Sequence, residues 1–137
     1  MKYRLLKGYK YELLRFVKVA TGLPHAFKID TQYIVLHDGV LLVRKHYAWD
    51  GASGIFTVDT KTFMRGSLVH DCLYQLIREG YLPREIYRRY ADKILREICL
   101  QDGMNRFRAW YVYKAVRMFG KKSSMPRKNP RGRIVEI

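Results

Sequence analysis

A chain of 137 residues has room for one hydrophobic core and not for two independent ones. Its 48% hydrophobic residues supply such a core, its 28% charged residues keep it in solution, and no apolar run approaches the ~20 residues that span a bilayer. Lysine and arginine number 27 against 12 acids, a net +15 that calls for a polyanionic partner: nucleic acid, an anionic membrane or envelope, or an acidic protein surface.

The stretch Met1 to Gly8 is interrupted by charge too often for a signal peptide, so synthesis in the cytoplasm is expected. The first half reads as β. Tyr9 to Val17 suits a strand or short helix, and Ala26 to Asp30 alternates weakly. Tyr33 to His37 and Val40 to Arg44 are β-rich runs around Asp38-Gly39, a pair that takes positive φ readily; they predict a two-residue hairpin. Trp49 to Gly54 follows as a glycine-rich loop that lets backbone approach a bound group closely.

The second half reads as α. Asp59 to Thr62 offers caps for a helix over Phe63 to Glu79 that stops at Gly80. Pro83 stands where a first-turn proline belongs, ahead of a helix from Arg84 to Gln101 closed by Gly103. Asn105 caps a third helix, Arg106 to Phe119, closed by Gly120. Its aromatic residues, Phe107, Trp110, Tyr111, Tyr113 and Phe119, are expected in the core or against a partner rather than stacked on bases. Residues 120–137 hold six basic residues against one acid and read as a basic tail after a single domain, 1–119. The fold class expected is α+β: antiparallel hairpins packed on a three-helix unit containing an antiparallel helix hairpin. Cys72 and Cys99 fall in helices and are expected as free buried thiols, with a bridge between the helices as the alternative.

His70 and Asp92 stand at similar distances from the turn at Gly80 to Pro83. In an antiparallel helix hairpin they come level, and a carboxylate there fixes an imidazole's tautomer and raises its basicity. Tyr74, four residues after His70, shares its face. Asp71 is rotated by about 100° and turns toward the Asp50-Gly51 loop. A carboxylate beside such a loop offers the oxygen ligands that calcium prefers. The plainer alternative is a half-buried histidine bonded to Asp92 or Tyr74, with Asp71 capping loop amides. His25, His37 and His46 show no evident partner in the sequence.

The blocks Tyr47 to Ser53, Phe63 to Asp71, Gln101 to Met104 and Arg108 to Tyr113 resemble those of a phage and prophage family of small proteins of unknown function, over roughly Tyr3 to Gly120. That resemblance implies viral or prophage origin, in the host bacterial cytoplasm or the virion. His70-Asp71-Cys72-Leu73-Tyr74 is also similar to the helix motif of secretory phospholipases of the A-two class. This second resemblance implies His70 as general base, Asp92 as the residue that orients it, and Asp71 as a calcium ligand with Asp50 and Gly51 upstream. The sequence departs from that family where Leu73 replaces a cysteine, and it lacks the family's disulfide density. Three functions follow: a calcium-assisted hydrolase of ester-like bonds in membrane or envelope, a structural or accessory virion component, and a basic nucleic-acid-binding protein.

Overall fold

The computed structural model describes residues 1–6, 11–51 and 61–126. Seven short strands come first: β1 (Tyr3–Leu5), β2 (Tyr11–Leu13), β3 (Val17–Ala20), β4 (Lys28–Asp30), β5 (Ile34–His37), β6 (Val40–Val43) and β7 (Ala48–Trp49). Three helices follow, α1 (Lys61–Arg78), α2 (Arg84–Gln101) and α3 (Arg106–Phe119), then a short 3-10 helix over Lys122–Ser124. The fold is α+β.

The strands form two antiparallel sheets, ordered β1-β2-β7 and β3-β6-β5-β4. Asp38 (φ 51°) and Gly39 (φ 75°) make the turn between β5 and β6. A Cβ on Gly39 would lie 2.9 Å from the Leu23 carbonyl, so the position demands glycine twice over. The register pairs Ile34 with Val43 and Leu36 with Leu41. All four are fully buried, so one face of this hairpin is continuous core.

Helix α1 is central. Twelve of its 18 residues are buried, as expected of a helix covered on several sides. It packs antiparallel on α2, and α2 packs on α3. Gly80 (φ 85°) and Gly103 (φ 98°) end α1 and α2 in the left-handed region. Asn105 caps α3, its side chain accepting from the Arg108 amide at 2.7 Å.

Four local features differ from the sequence reading. Pro83 is the N-cap of α2, in extended conformation, rather than its first helical residue. Trp49 belongs to a strand and is buried. The third helix turns four of its five aromatics outward: Phe107, Trp110, Tyr111 and Phe119 are exposed and Tyr113 is half-buried, while Ala109, Val112, Ala115 and Val116 form its buried face. Small residues allow close helix approach, which leaves no room for rings. The start of the basic segment is docked, with Ser123 O accepting from Arg78 at 2.9 Å and Ser124 buried. Positions 7–10, 52–60 and 127–137, which include the Ala52 to Gly54 loop, the Asp59 and Thr60 caps and most of the tail, lie outside the described residues.

Candidate active site

Two adjacent stripes of α1 set the geometry. Ser67, Asp71 and Gln75, spaced by four, face the β7 region. Trp49 Nε1 donates to Ser67 Oγ at 3.1 Å, the Asp50 amide to Asp71 Oδ2 at 3.4 Å, and Tyr47 OH to Gln75 Oε1 at 2.9 Å. Gly66, His70 and Tyr74, one residue back, face α2. A Cβ on Gly66 would sit 2.9 Å from Cys99 Sγ and 3.3 Å from the Leu95 carbonyl, so glycine lets the two helices close at this level. One turn further, His70 Nε2 lies 2.7 Å from Asp92 Oδ1. After another turn, Tyr74 OH donates to the same oxygen at 2.6 Å.

The second oxygen of Asp92 takes a partner that the sequence reading missed. Arg117, in the last turn of α3, donates through Nη1 at 2.8 Å. A buried carboxylate requires a counter-charge, and that requirement was the one available signal for it. Gly120 allows α3 to end here, since a Cβ would lie 2.7 Å from Tyr74 OH. Asp92 is wholly buried and His70 nearly so.

The electrostatics follow from these contacts. Burial alone would raise the Asp92 pKa, but donors from His70, Tyr74 and Arg117 outweigh it and hold the carboxyl below its ordinary 3.8. Burial opposes charge on His70, yet Asp71 and Asp92 outweigh burial and hold the ring above its ordinary 6.5. Tyr74 is pushed up, by burial first and then by the Asp92 charge, so it stays a hydroxyl donor. An ionised carboxylate only accepts, so the proton of neutral His70 resides on Nε2. The other nitrogen, Nδ1, carries the lone pair and stands 3.9 Å from Asp71 Oδ1, beyond hydrogen-bond distance.

His70, Tyr74 and Asp92 therefore meet, and Asp71 meets Asp50. As described, this second pair does not make a cation cage. The backbone of Asp50 presents an N–H to Asp71, whereas calcium needs six to eight oxygens. Among the described residues no group of three or more His, Cys, Asp and Glu is placed to hold a metal ion. A separate cleft of about 360 Å³, lined by Thr21, Tyr90, Lys93 and Glu97 among others, includes none of the His70 cluster. Of the remaining histidines, His46 has a partner that the sequence did not reveal, with Nδ1 2.6 Å from Glu12 Oε2.

Residues 27–116 match the family described as protein of unknown function (DUF1353). The chain belongs to that family. The matched stretch runs from the strand pair β4-β5 through most of α3, so His70, Asp71, Tyr74 and Asp92 lie inside the DUF1353 region and Arg117 lies one residue beyond it. No curated protein and no solved structure matches the chain.

Proposed function

We propose that the chain is a hydrolase of ester-like bonds, in which His70 is the general base. The observation that carries this reading is the 2.7 Å contact between His70 Nε2 and Asp92 Oδ1. It commits the proton to Nε2 and leaves Nδ1 to accept one from water as that water attacks an acyl carbon; the ester C–O bond then breaks and the alcohol leaves with the proton from Nδ1. Asp92 holds the ring and offsets its charge once protonated, while Tyr74 and Arg117 hold Asp92. The basic surface suits substrates presented at an anionic membrane or envelope.

Calcium belongs to this reading through the phospholipase resemblance and through the placing of Asp71 beside the Asp50-Gly51 turn. Asp71, with Asp50 and Gly51, is where that resemblance would put it, although the Asp50 backbone turns an N–H and not an oxygen toward Asp71. The proton transfer at His70 does not depend on it. Calcium that binds should raise the melting temperature by mass action, and Asp71→Ala should remove the shift.

The test is release of acid from a nitrophenyl ester and from phosphatidylglycerol vesicles, with and without calcium. Wild-type protein should turn over, and His70→Gln should lose on the order of 10²–10⁴-fold. Absence of turnover, or equal turnover in the variant, overturns the proposal.

A second reading is favoured by burial. Asp92 is fully enclosed and ties α1, α2 and α3 together, which suits a structural or accessory protein, including one of phage or prophage origin. On that reading His70→Gln costs stability and no ester is cleaved. Binding to nucleic acid draws support from charge alone, and its affinity would fall steeply with salt.

A further inference from the structure

We infer that the outward face of α3 is a membrane-docking surface for bilayers rich in anionic phospholipid. Phe107, Trp110, Tyr111, Lys114 and Met118 follow one another at steps of three, one, three and four residues, which places them on one face of the helix. Phe107 is 74% exposed, Met118 72% and Trp110 49%. Exposed phenylalanine, tryptophan and methionine in one row are uncommon on a soluble domain and mark an interaction surface. The opposite face, Ala109, Val112 and Val116, is packed in the core with Phe63, Leu95 and Cys99. The helix is thus apolar on two sides and pinned by one.

Charge selects the occupant. From Gly103 to Pro126, the described part of this region, the chain holds six Lys and Arg and no acid. Arg106, Lys114, Lys121 and Lys122 are exposed around the apolar row, and Lys114 Nζ lies 6.0 Å from the centre of the Trp110 ring. Long basic side chains can lay their stems along apolar surface while their heads reach phosphates. Aromatic residues between them suit the headgroup boundary. A second copy of the chain would bring the same cations to the same face. A single nucleic-acid strand calls for a groove with stacking platforms, whereas this surface is one convex helix that ends in Met118, which has no π-face. A plane of anionic headgroups over acyl chains meets both the charge and the shape.

The inference does not rest on the general-base reading, because docking is read without turnover. Trp49 is buried and Trp110 is half exposed, so tryptophan emission and its quenching report mainly on α3. The full chain is mixed with vesicles of equal parts phosphatidylglycerol and phosphatidylcholine, with vesicles of phosphatidylcholine alone, and with an oligothymidylate of about 30 nucleotides. The anionic vesicles should shift the emission to the blue, shield it from acrylamide, and sediment the protein, less so as salt rises. Phosphatidylcholine alone should do little. Phe107→Ser with Met118→Ser should weaken sedimentation about tenfold or more while the melting temperature stays within a few degrees of wild type. The inference is overturned if anionic vesicles leave Trp110 open to quencher, if the double variant binds them as wild type does, or if the oligonucleotide shields Trp110 and the vesicles do not.

Discussion

Arg117 Nη1 donates to Asp92 Oδ2 at 2.8 Å, across the packing of α3 on α2. The other oxygen of that carboxylate takes His70 and Tyr74 from α1. One buried acid therefore joins three helices, and its charge is met by a guanidinium held a quarter exposed at the edge. Arg88 closes the same corner, donating through Nη2 to the carbonyls of Val116 and Arg117 at 2.9 and 2.8 Å.

Removal of that acid should be costly. Asp92→Ala leaves the Arg117 charge and two buried donors without their acceptor, and should cost on the order of 3–5 kcal/mol. The urea midpoint should fall with little change in slope. The pKa of Asp92 is depressed in the fold, so its stabilisation is present above the ordinary 3.8 and is lost as pH falls through the lower native value. A variant within 1 kcal/mol of wild type at neutral pH would show that Asp92 does not hold the helices together.

The crossing of α1 and α2 should resist even one methyl group. Gly66→Ala places a Cβ 2.9 Å from Cys99 Sγ and 3.1 Å from Leu95 Cδ1, and should destabilise by about 1–3 kcal/mol. Cys99→Ala makes room on the facing helix. In a double-mutant cycle, the pair should therefore cost less than the sum of the singles. Strict additivity would contradict a steric origin.

Much of this architecture was legible in the sequence because particular residues have narrow uses. Asp38-Gly39 marks a turn that needs positive φ, and Gly80, Gly103 and Asn105 punctuate the helices for similar reasons. Once that turn between helices is known, the level of Asp92 opposite His70 follows from counting. The orientation of α3 does not follow, because apolar residues recur on both of its faces and periodicity cannot say which is covered. Neither could Arg117 be found by local pattern, since it lies 25 residues from Asp92 on a different helix. The pair His46 and Glu12 depends on a strand register that only the assembled sheet provides. For Asp71 the direction was readable, and so was the plainer of its two roles: the Asp50 amide donates to it, as a carboxylate capping loop amides requires.

Both thiols should be inert in the folded protein. Cys72 and Cys99 are free and buried. Burial, helped by the charge of Asp102, pushes Cys99 up to about 12, and burial raises Cys72 well above its ordinary value. A thiol-disulfide reagent at pH 8 should titrate neither cysteine in native protein and both in guanidinium. Rapid modification of either without denaturant would contradict this packing.

The titration of His70 should move stability and turnover in opposite directions. Its native pKa lies above the 6.5 of an unfolded chain, so the fold binds that proton more tightly. The resulting stabilisation is complete below pH 6.5 and is lost as pH rises through the native pKa. The general base, by contrast, needs Nδ1 deprotonated, so ester hydrolysis should increase across that same interval. Across about pH 5.5 to about pH 8.5, urea midpoints should fall between pH 6.5 and the native pKa, while initial rates should rise with their midpoint at the native pKa. His70→Gln should flatten the stability curve and abolish the rate curve together. If stability falls with pH in the wild type while no rate accompanies it, the imidazole is a structural tie between the helices, and the burial of Asp92 is its whole purpose.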